Sequence, residues 1–399
     1  MGVGSTGATR GHGTMATLDL LLLIPALTLA LLGCLYLAAA ILLTGRRARR
    51  QPPPPSVFPP VTVVKPLHGA EPGLFENLAS FCAQDYPGPV QILLGVADPR
   101  DPAVAVVEQV RRAFPKASLE LVADPRRHGS NRKVSNLINM AGRIRHDVIV
   151  FSDSDVRVPA DHLRRMVTEL QAPGVGCVTC LYHAVPTGGP WSRLIALGMD
   201  THFTPSVIVG LGLRLARPCI GTTIVLGRDM LAEIGGLETF ADLLAEDHAI
   251  GAAVWAAGRK VTVSTQLIGH LCSEPSAAAM WAHELRWART IKSIDAPGYA
   301  GSVVTHPFPL ALIAWALGGG LPALGVAGLA LALRIALCNR FERAYHLPPH
   351  PYWMIPARDL LSFAVFVVSY LGHGVNWRGH LYQLVPDGTL VTDRRPPSP

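Results

Sequence analysis

An α/β domain on a mostly parallel sheet, flanked by membrane-spanning helices, is the fold class this sequence predicts. Three observations carry it. Short apolar runs alternate with amphipathic stretches from residue 61 to about 230, the pattern of a sheet covered by helices on both faces. An unbroken apolar run fills 18–43 and ends in a cluster of arginines. Apolar segments return after residue 300. The chain is 49% hydrophobic but only 16% charged, well under the ~25% usual in soluble domains.

Residues 1–17 read as a tail and 18–44 as an anchor, long enough for the ~20 residues a bilayer-crossing helix needs. Arg46, Arg47, Arg49 and Arg50 follow at once. Positive residues favour the cytoplasmic side, so the N-terminus is expected outside. Residues 45–60, with "QPPPPSVFPP", form a basic, stiff spacer. The domain proper is expected over 61–275. Its strands are expected at 61–64, 90–96, 118–122, 147–151, 175–181 and 222–226. Helices are expected near 73–84, 102–113, 132–145 and 159–170. An amphipathic interfacial stretch follows at 276–300. Residues 301–378 hold about three short membrane segments, at 303–318, 321–338 and 359–375, some short enough to be re-entrant. Gly319-Gly320 splits the first two, and Arg340, Arg343 and Arg358 in the next loop suit the cytoplasm. Residues 379–399 read as a tail, disordered by composition from "DGTLVTDRRPPSP" onward.

Net charge is +7, without a basic stripe interleaved with aromatics. That points to basic residues beside anionic lipid and away from nucleic acid. The seven cysteines are scattered. One C-x-x-C, Cys177 and Cys180, is weak evidence for metal or redox chemistry, so the cysteines are expected reduced and structural.

Asp153 and Asp155 stand one residue apart at the end of the apolar run "DVIVF". In a parallel sheet that is the edge where ligands bind. Two carboxylates there suit a hard cation such as Mg²⁺ or Mn²⁺, though a solvated turn or helix cap gives the same residues. An EF-hand loop fails because Val158 stands where glycine is needed. A phosphatase-type D-x-D-x-T site fails at Arg157. No phosphate-binding glycine fingerprint is present. Asp98 ends the run "VQILLGVA" in the same way. Glu246-Asp247 open a helix, as dipole-matched acids or with one as a general base. Lys133, in "RKVSNL", suits a phosphate or a solvated helix start. In "HELRWART", Arg286 and Trp287 fit a diphosphate clamp, a lipid entrance, or a plain interfacial helix. The stretch 203–216 reads as a buried helix or an interfacial lip, with His202 just before it.

Taken in order, these pieces resemble the ceramide glucosyltransferase-like membrane glycosyltransferases, and within them a bacterial, hopanoid-associated branch. The resemblance runs over about 18–380. It rests on "VTVVKPLHGAEPGLFENLASFCAQDYPGPVQILLGVADPRDPA", "RKVSNL", "SDSDVRV", "GGLETFADLLAEDHAIG", "LRW" and "NWRGHLY". The family signature is three separated aspartates followed by (Q/R)-x-x-R-W. Its positions fall on Asp98, Asp153, Asp247 and Arg286-Trp287. Two departures are His283 at the Gln/Arg position and Asp155, where the ceramide enzymes carry a small residue.

The resemblance implies a cytosolic domain of the glycosyltransferase-A type in a bacterial inner membrane, a UDP-sugar donor and a lipid acceptor. It implies that Asp98, Lys133, Asp153, Arg286 and Trp287 bind the nucleotide sugar. Asp153 and Asp155 hold Mg²⁺ or Mn²⁺, Asp247 is the base, and His202 and His283 are candidates near the acceptor. The competing readings are a processive polysaccharide synthase and a non-catalytic membrane receptor for nucleotide or lipid.

Overall fold

The structure is a computed structural model. It describes residues 10–51 and 57–372 and the strand residues 374–377, 380–384 and 390–392, with side chains described for 21–51, 57–372 and 374. The start of the expected N-terminal tail, the prolines of the spacer at 52–56, and residues 393–399 lie outside the described residues.

The chain opens with α1 (Arg10–Ala48). An alternating series follows: β1 (Val61–Pro66), α2 (Leu74–Cys82), β2 (Val90–Val96), α3 (Ala103–Ala113), β3 (Ser118–Ala123), α4 (Arg132–Ala141) and β4 (Val148–Ser152). Then come β5 (Val156–Arg157), α5 (His162–Leu170), β6 (Val175–Pro186), α6 (Pro190–Gly198), α7 (Thr204–Gly212), β7 (Thr223–Gly227), α8 (Arg228–Glu233), α9 (Glu246–Ala256) and β8 (Lys260–Cys272). The last part holds α10 (Ala277–Ile294), α11 (Ala296–Gly301), α12 (Pro307–Ala314), α13 (Gly320–Tyr345) and α14 (Ile355–Ser369). The strands β9 (Gly374–Trp377), β10 (His380–Leu384) and β11 (Leu390–Thr392) form a small separate sheet.

The main sheet runs β3-β2-β1-β4-β7-β6-β8-β5. Its first four strands are parallel, and β7 enters antiparallel to both β4 and β6. The central strands β1, β2, β4, β6 and β7 bury residues on both faces. Val61 and Val63 join one core with Leu78, Phe81 and Leu163, while Val64 joins the other with Leu137, Phe240 and Val254. A sheet buried on both sides needs near-continuous apolar strands, which is why the runs were legible. β8 was not foreseen, because its apolar residues alternate with Thr, Ser and Gln. The expected 175–181 strand extends to Pro186. Part of the expected C-terminal tail is ordered, since β11 pairs with β10.

Among the described residues, four stretches are long and apolar enough to cross a membrane: Leu21–Ala48, Pro190–Gly212, Pro307–Tyr345 and Tyr352–Ser369. The second takes in most of 203–216, read above as a buried helix or an interfacial lip; Thr204, Pro205, Ile208 and Val209 are buried, while Leu213 and Leu215 are exposed. That segment continues α6 through a π-helical turn, Met199–Phe203, into α7, and packs on α1. By hydropathy the third is a single stretch, but Gly318 has φ 93° and Gly320 φ 55°. Such positive φ is open to glycine at little cost. The chain reverses there, and Phe308 and Ala311 of α12 meet Ala327 and Ala330 of α13 and Ala30 of α1. The expected hairpin is therefore present, with a short first arm.

Small residues let these helices approach closely. A Cβ on Gly33 would lie 2.5 Å from the Val304 carbonyl oxygen and 2.8 Å from Pro307 Cβ. Gly33→Leu should therefore lower stability by about 1–3 kcal/mol. Gly142→Ala, where nothing lies within 4 Å, should leave it unchanged. Thermal unfolding of both variants in detergent checks this.

Candidate active site

A cavity of about 700 Å³ opens at the carboxyl ends of the parallel strands. Leu67 and His68 follow β1, Ala97 follows β2, Asp124 follows β3, and Asp153 to Asp155 follow β4; all line it. The far wall is the start of α9, with Glu246 and Asp247, and one face of α10, with His283, Arg286 and Trp287.

The loop after β4 is held through its backbone. Lys65 is fully buried at the end of β1, and its Nζ donates to the Asp153 carbonyl at 2.7 Å and Ser152 Oγ at 3.1 Å. Its ammonium sits 3.9 Å from the Phe81 ring centroid, a cation–π contact. Burial pulls Lys65 down to about 7, with Asp153 and Asp155 acting the other way. Asn77 donates to the Ser154 carbonyl at 3.0 Å, and the Leu271 N–H to the Asp155 carbonyl at 2.9 Å. With the loop carbonyls taken up inside the protein, the aspartate side chains face the cavity.

β5 begins directly after Asp155 and pairs with β8 so that Val156 opposes His270. The pairing brings His270 Nδ1 to 3.6 Å from Asp155 Oδ1. Both atoms are buried, and neither has a hydrogen-bond partner among the described residues. Lys133 lies across from this pair. Its Nζ is 2.6 Å from Asp153 Oδ1 and 2.8 Å from Glu246 Oε1. Burial works against the ammonium, but the two carboxylates overturn this and hold it well above the ordinary lysine range. Burial raises the Asp153 carboxyl, with Lys133 countering.

Lys133 is positioned by Asn131. Its Oδ1 accepts from the Lys133 and Val134 N–H groups, capping α4. Its Nδ2 donates to the Leu243 carbonyl at 2.7 Å and to Glu246 Oε2 at 3.1 Å. Asp247 Oδ2 accepts from the Gly221 N–H and Oδ1 from its neighbour His248 N–H, each at 2.8 Å. A Cβ on Gly221 would come within 3.1 Å of Asp247 Oδ2 and 3.3 Å of Lys133 Nζ. Burial, reinforced by Glu246, pushes the Asp247 carboxyl up to about 6.

The structure thus brings together Asp153, Asp155, Lys133, Asp247, Arg286, Trp287 and His283. Asp98 is at the rim instead. Ala97 lines the cavity, but the Asp98 side chain is 49% exposed and paired with Arg100 at 3.0 Å. The local sequence D-P-R favours that pairing, because the Arg100 N–H and guanidinium both reach the same carboxylate. His202 is not in the cavity wall. Its Nε2 faces Asp359 Oδ1 at 2.8 Å among the membrane-frame helices, beside the buried Arg334. A π-helical turn aims it there. His283 lines the cavity with Nδ1 held by Glu274 at 2.7 Å and its ring edge-on to Trp287. Residues that sequence reasoning missed are His270, Asp124, Lys65 and Asn131. Of these, only Asn131 carried a usable signal, as a cap residue before "RKVSNL".

The family model described as glycosyl transferase family 21 matches residues 26–390. Ceramide glucosyltransferase 1 of Caenorhabditis elegans is 26% identical over 52% of this chain and 44% of its own length. Ceramide glucosyltransferase 3 of the same organism is 23% identical over 94% of this chain and 84% of its own. Among solved structures, the chain is similar to a mannosyltransferase from Pyrobaculum calidifontis in complex with GDP-Man and Mn²⁺. That match is 20% identical with TM-score 0.49, and covers 86% of this chain and 99% of that one.

Replacing Lys133 by Met would leave Asp153 and Glu246 facing each other without a cation. Removing one partner of a buried pair costs about 3 kcal/mol. Folded-state carboxyls held high bind more protons than the unfolded chain, so stability falls as pH rises through them. Unfolding of Lys133→Met in detergent should show that loss, and the melting temperature should climb as pH is lowered from about 8 to about 5.

Proposed function

The chain belongs to glycosyl transferase family 21, and from that membership and the cavity's carboxylates we propose that it moves a hexose or N-acetylhexosamine from a UDP-sugar to a hydroxyl of a membrane lipid, with inversion at the anomeric carbon. The observation that carries this reading is Asp247. It is a carboxylate at the cavity wall, fixed by two backbone N–H groups and raised to about 6. A base with that pKa is deprotonated at neutral pH yet basic enough to take a hydroxyl proton.

Asp247 removes the acceptor's proton as its oxygen attacks the anomeric carbon. One base and one displacement give inversion, and a nucleotide leaving group needs no general acid. The Gly221 and His248 N–H groups keep the carboxylate aimed. Arg286, with Arg126 and Arg132 also lining the cavity, supplies positive charge for the departing diphosphate. Asp98 at the rim contacts the nucleoside once Arg100 releases it, and Trp287 supports the sugar or lipid chain.

The orphaned, buried Asp155 Oδ1 beside Asp153 fits a divalent cation with oxygen ligands. Asp153 and Asp155 would hold Mg²⁺ or Mn²⁺, which neutralises diphosphate charge when bound. The acceptor is a lipid with an exposed hydroxyl, a ceramide or a hopanoid polyol. The complete Asp153/Asp155 pair inclines the reading to the hopanoid. The arginines after α1 support a cytosolic catalytic face with the N-terminus outside.

Membranes incubated with labelled UDP-sugars and lipid extract should yield an organic-soluble product, lost with EDTA and restored by Mg²⁺ or Mn²⁺. A labelled polymer, or no UDP-sugar consumption at all, would overturn the proposal. Asp247→Asn should lower kcat by about 10²–10⁴-fold while UDP-sugar still binds. For the wild type, kcat/KM should fall about tenfold per pH unit below about 6, as Asp247 takes up its proton.

A further inference from the structure

Away from the cavity, where the end of α13 meets the helix carrying Asp200, a thiol, a carboxylate and an imidazole converge. Cys338 and Glu342 lie one helical turn apart on α13 and are both buried. After α13 the chain turns at His346, with φ 55°, and the Leu347 N–H returns to the Glu342 carbonyl at 2.9 Å. This turn brings His350 back over the helix. One ligand atom each from Cys338, Glu342 and His350 lies within 4.8 Å of the other two. Cys338 Sγ is 3.4 Å and His350 Nδ1 3.0 Å from Glu342 Oε1.

The surroundings fix each of these groups. Tyr352 OH donates to Glu342 Oε2, and the His350 backbone N–H donates to Oε1 at 2.7 Å. His350 Nε2 faces Asp200 Oδ2 at 3.2 Å. That oxygen is buried and has no other partner among the described residues. Asp200 Oδ1 is held by the Ala184 N–H at 2.9 Å. With Nε2 turned to Asp200 as donor, a neutral His350 presents the lone pair of Nδ1 toward an oxygen that Cys338 also faces. Lone pair against lone pair at 3.0 Å is unfavourable unless a proton or a metal ion sits between them.

We infer that Cys338, Glu342 and His350 form a zinc site, with Asp200 orienting the imidazole from behind. A thiolate, an imidazole and a carboxylate are a zinc-type donor set. The Asp200–His350 pairing is the carboxylate–histidine–metal arrangement that fixes a ligating tautomer. Zinc–ligand bonds of about 2.0–2.3 Å place ligand atoms roughly 3.3–3.7 Å apart at tetrahedral angles, and the Sγ–Oε1 and Nδ1–Oε1 distances of 3.4 and 3.0 Å lie within a few tenths of an ångström of that. Three protein ligands leave one position for water. On binding, the Cys338 thiol gives up its proton to solvent and the thiolate takes the metal. The ion clamps the end of α13, the approach to α14 and, through Asp200, the 190–212 helix. It is distinct from the oxygen-liganded site proposed at Asp153 and Asp155 and independent of the transfer reaction.

The test uses the full chain purified in detergent, incubated with zinc chloride, dialysed and analysed for metal by mass spectrometry. About one zinc per chain is expected, retained in Asp153→Asn and lost in Cys338→Ser and in His350→Gln. A wild type without zinc, or a Cys338→Ser/His350→Gln double variant that keeps it, would overturn the site in favour of an imidazolium between two carboxylates. If the variants do not fold, cobalt loading of the wild type decides. A near-ultraviolet thiolate-to-cobalt charge-transfer band, with Cys338 protected from alkylation until chelator is added, supports the site. Bound cobalt without that band, or Cys338 alkylated equally with and without metal, rejects it.

Discussion

Two acidic side chains from distant parts of the chain meet at the cavity wall, and a cation between them offsets their repulsion. Lys133 is that cation, with Asp153 on one side and Glu246 on the other. Without it, desolvation and mutual repulsion would both raise the free energy of the folded cavity. Much of the cavity's construction serves to place this ammonium. Asn131 caps α4 so that Lys133 falls in its first turn, and the same side chain reaches the start of α9. The starts of α4 and α9 are thereby tied together by a single amide.

A second level of support lies below the loop. Lys65 is inside the protein and touches the loop through carbonyl and hydroxyl oxygens, not through a carboxylate. It fixes the backbone of Asp153 without spending a carboxylate oxygen. A binding site is more accurate when its side chains stand on rigid elements with their backbone groups already satisfied. The same economy shows at Asp247, where the Gly221 and His248 N–H groups aim the carboxylate.

The sheet and the tip of β4 were legible because strands buried on both faces must be apolar throughout, and Asp153 and Asp155 interrupt that rule abruptly. Asp247 was legible as an acid at a helix start. Three things were hidden. His270 comes from a strand whose pattern is mixed, and only the two-residue β5 brings it to Asp155. His202 precedes an apolar stretch that reads like a lip, yet a π-helical turn rotates it toward Asp359. The stretch 190–212 has an overall hydropathy too modest to stand out beside the anchor, and its role in the membrane frame depends on packing against α1. Each failure concerns which way a residue points, a property of tertiary contacts more than of local pattern.

The end of α1 makes one further contact that changes how the molecule is viewed. Arg47 donates to the carbonyl of Val263 at 2.7 Å and to that of Ser264, both on β8. The strand that carries His270 is therefore fastened directly to the end of α1. The cavity is held like a shelf on a bracket, at a fixed distance from α1. Whatever molecule enters the cavity must present its reacting end at that height along the helix.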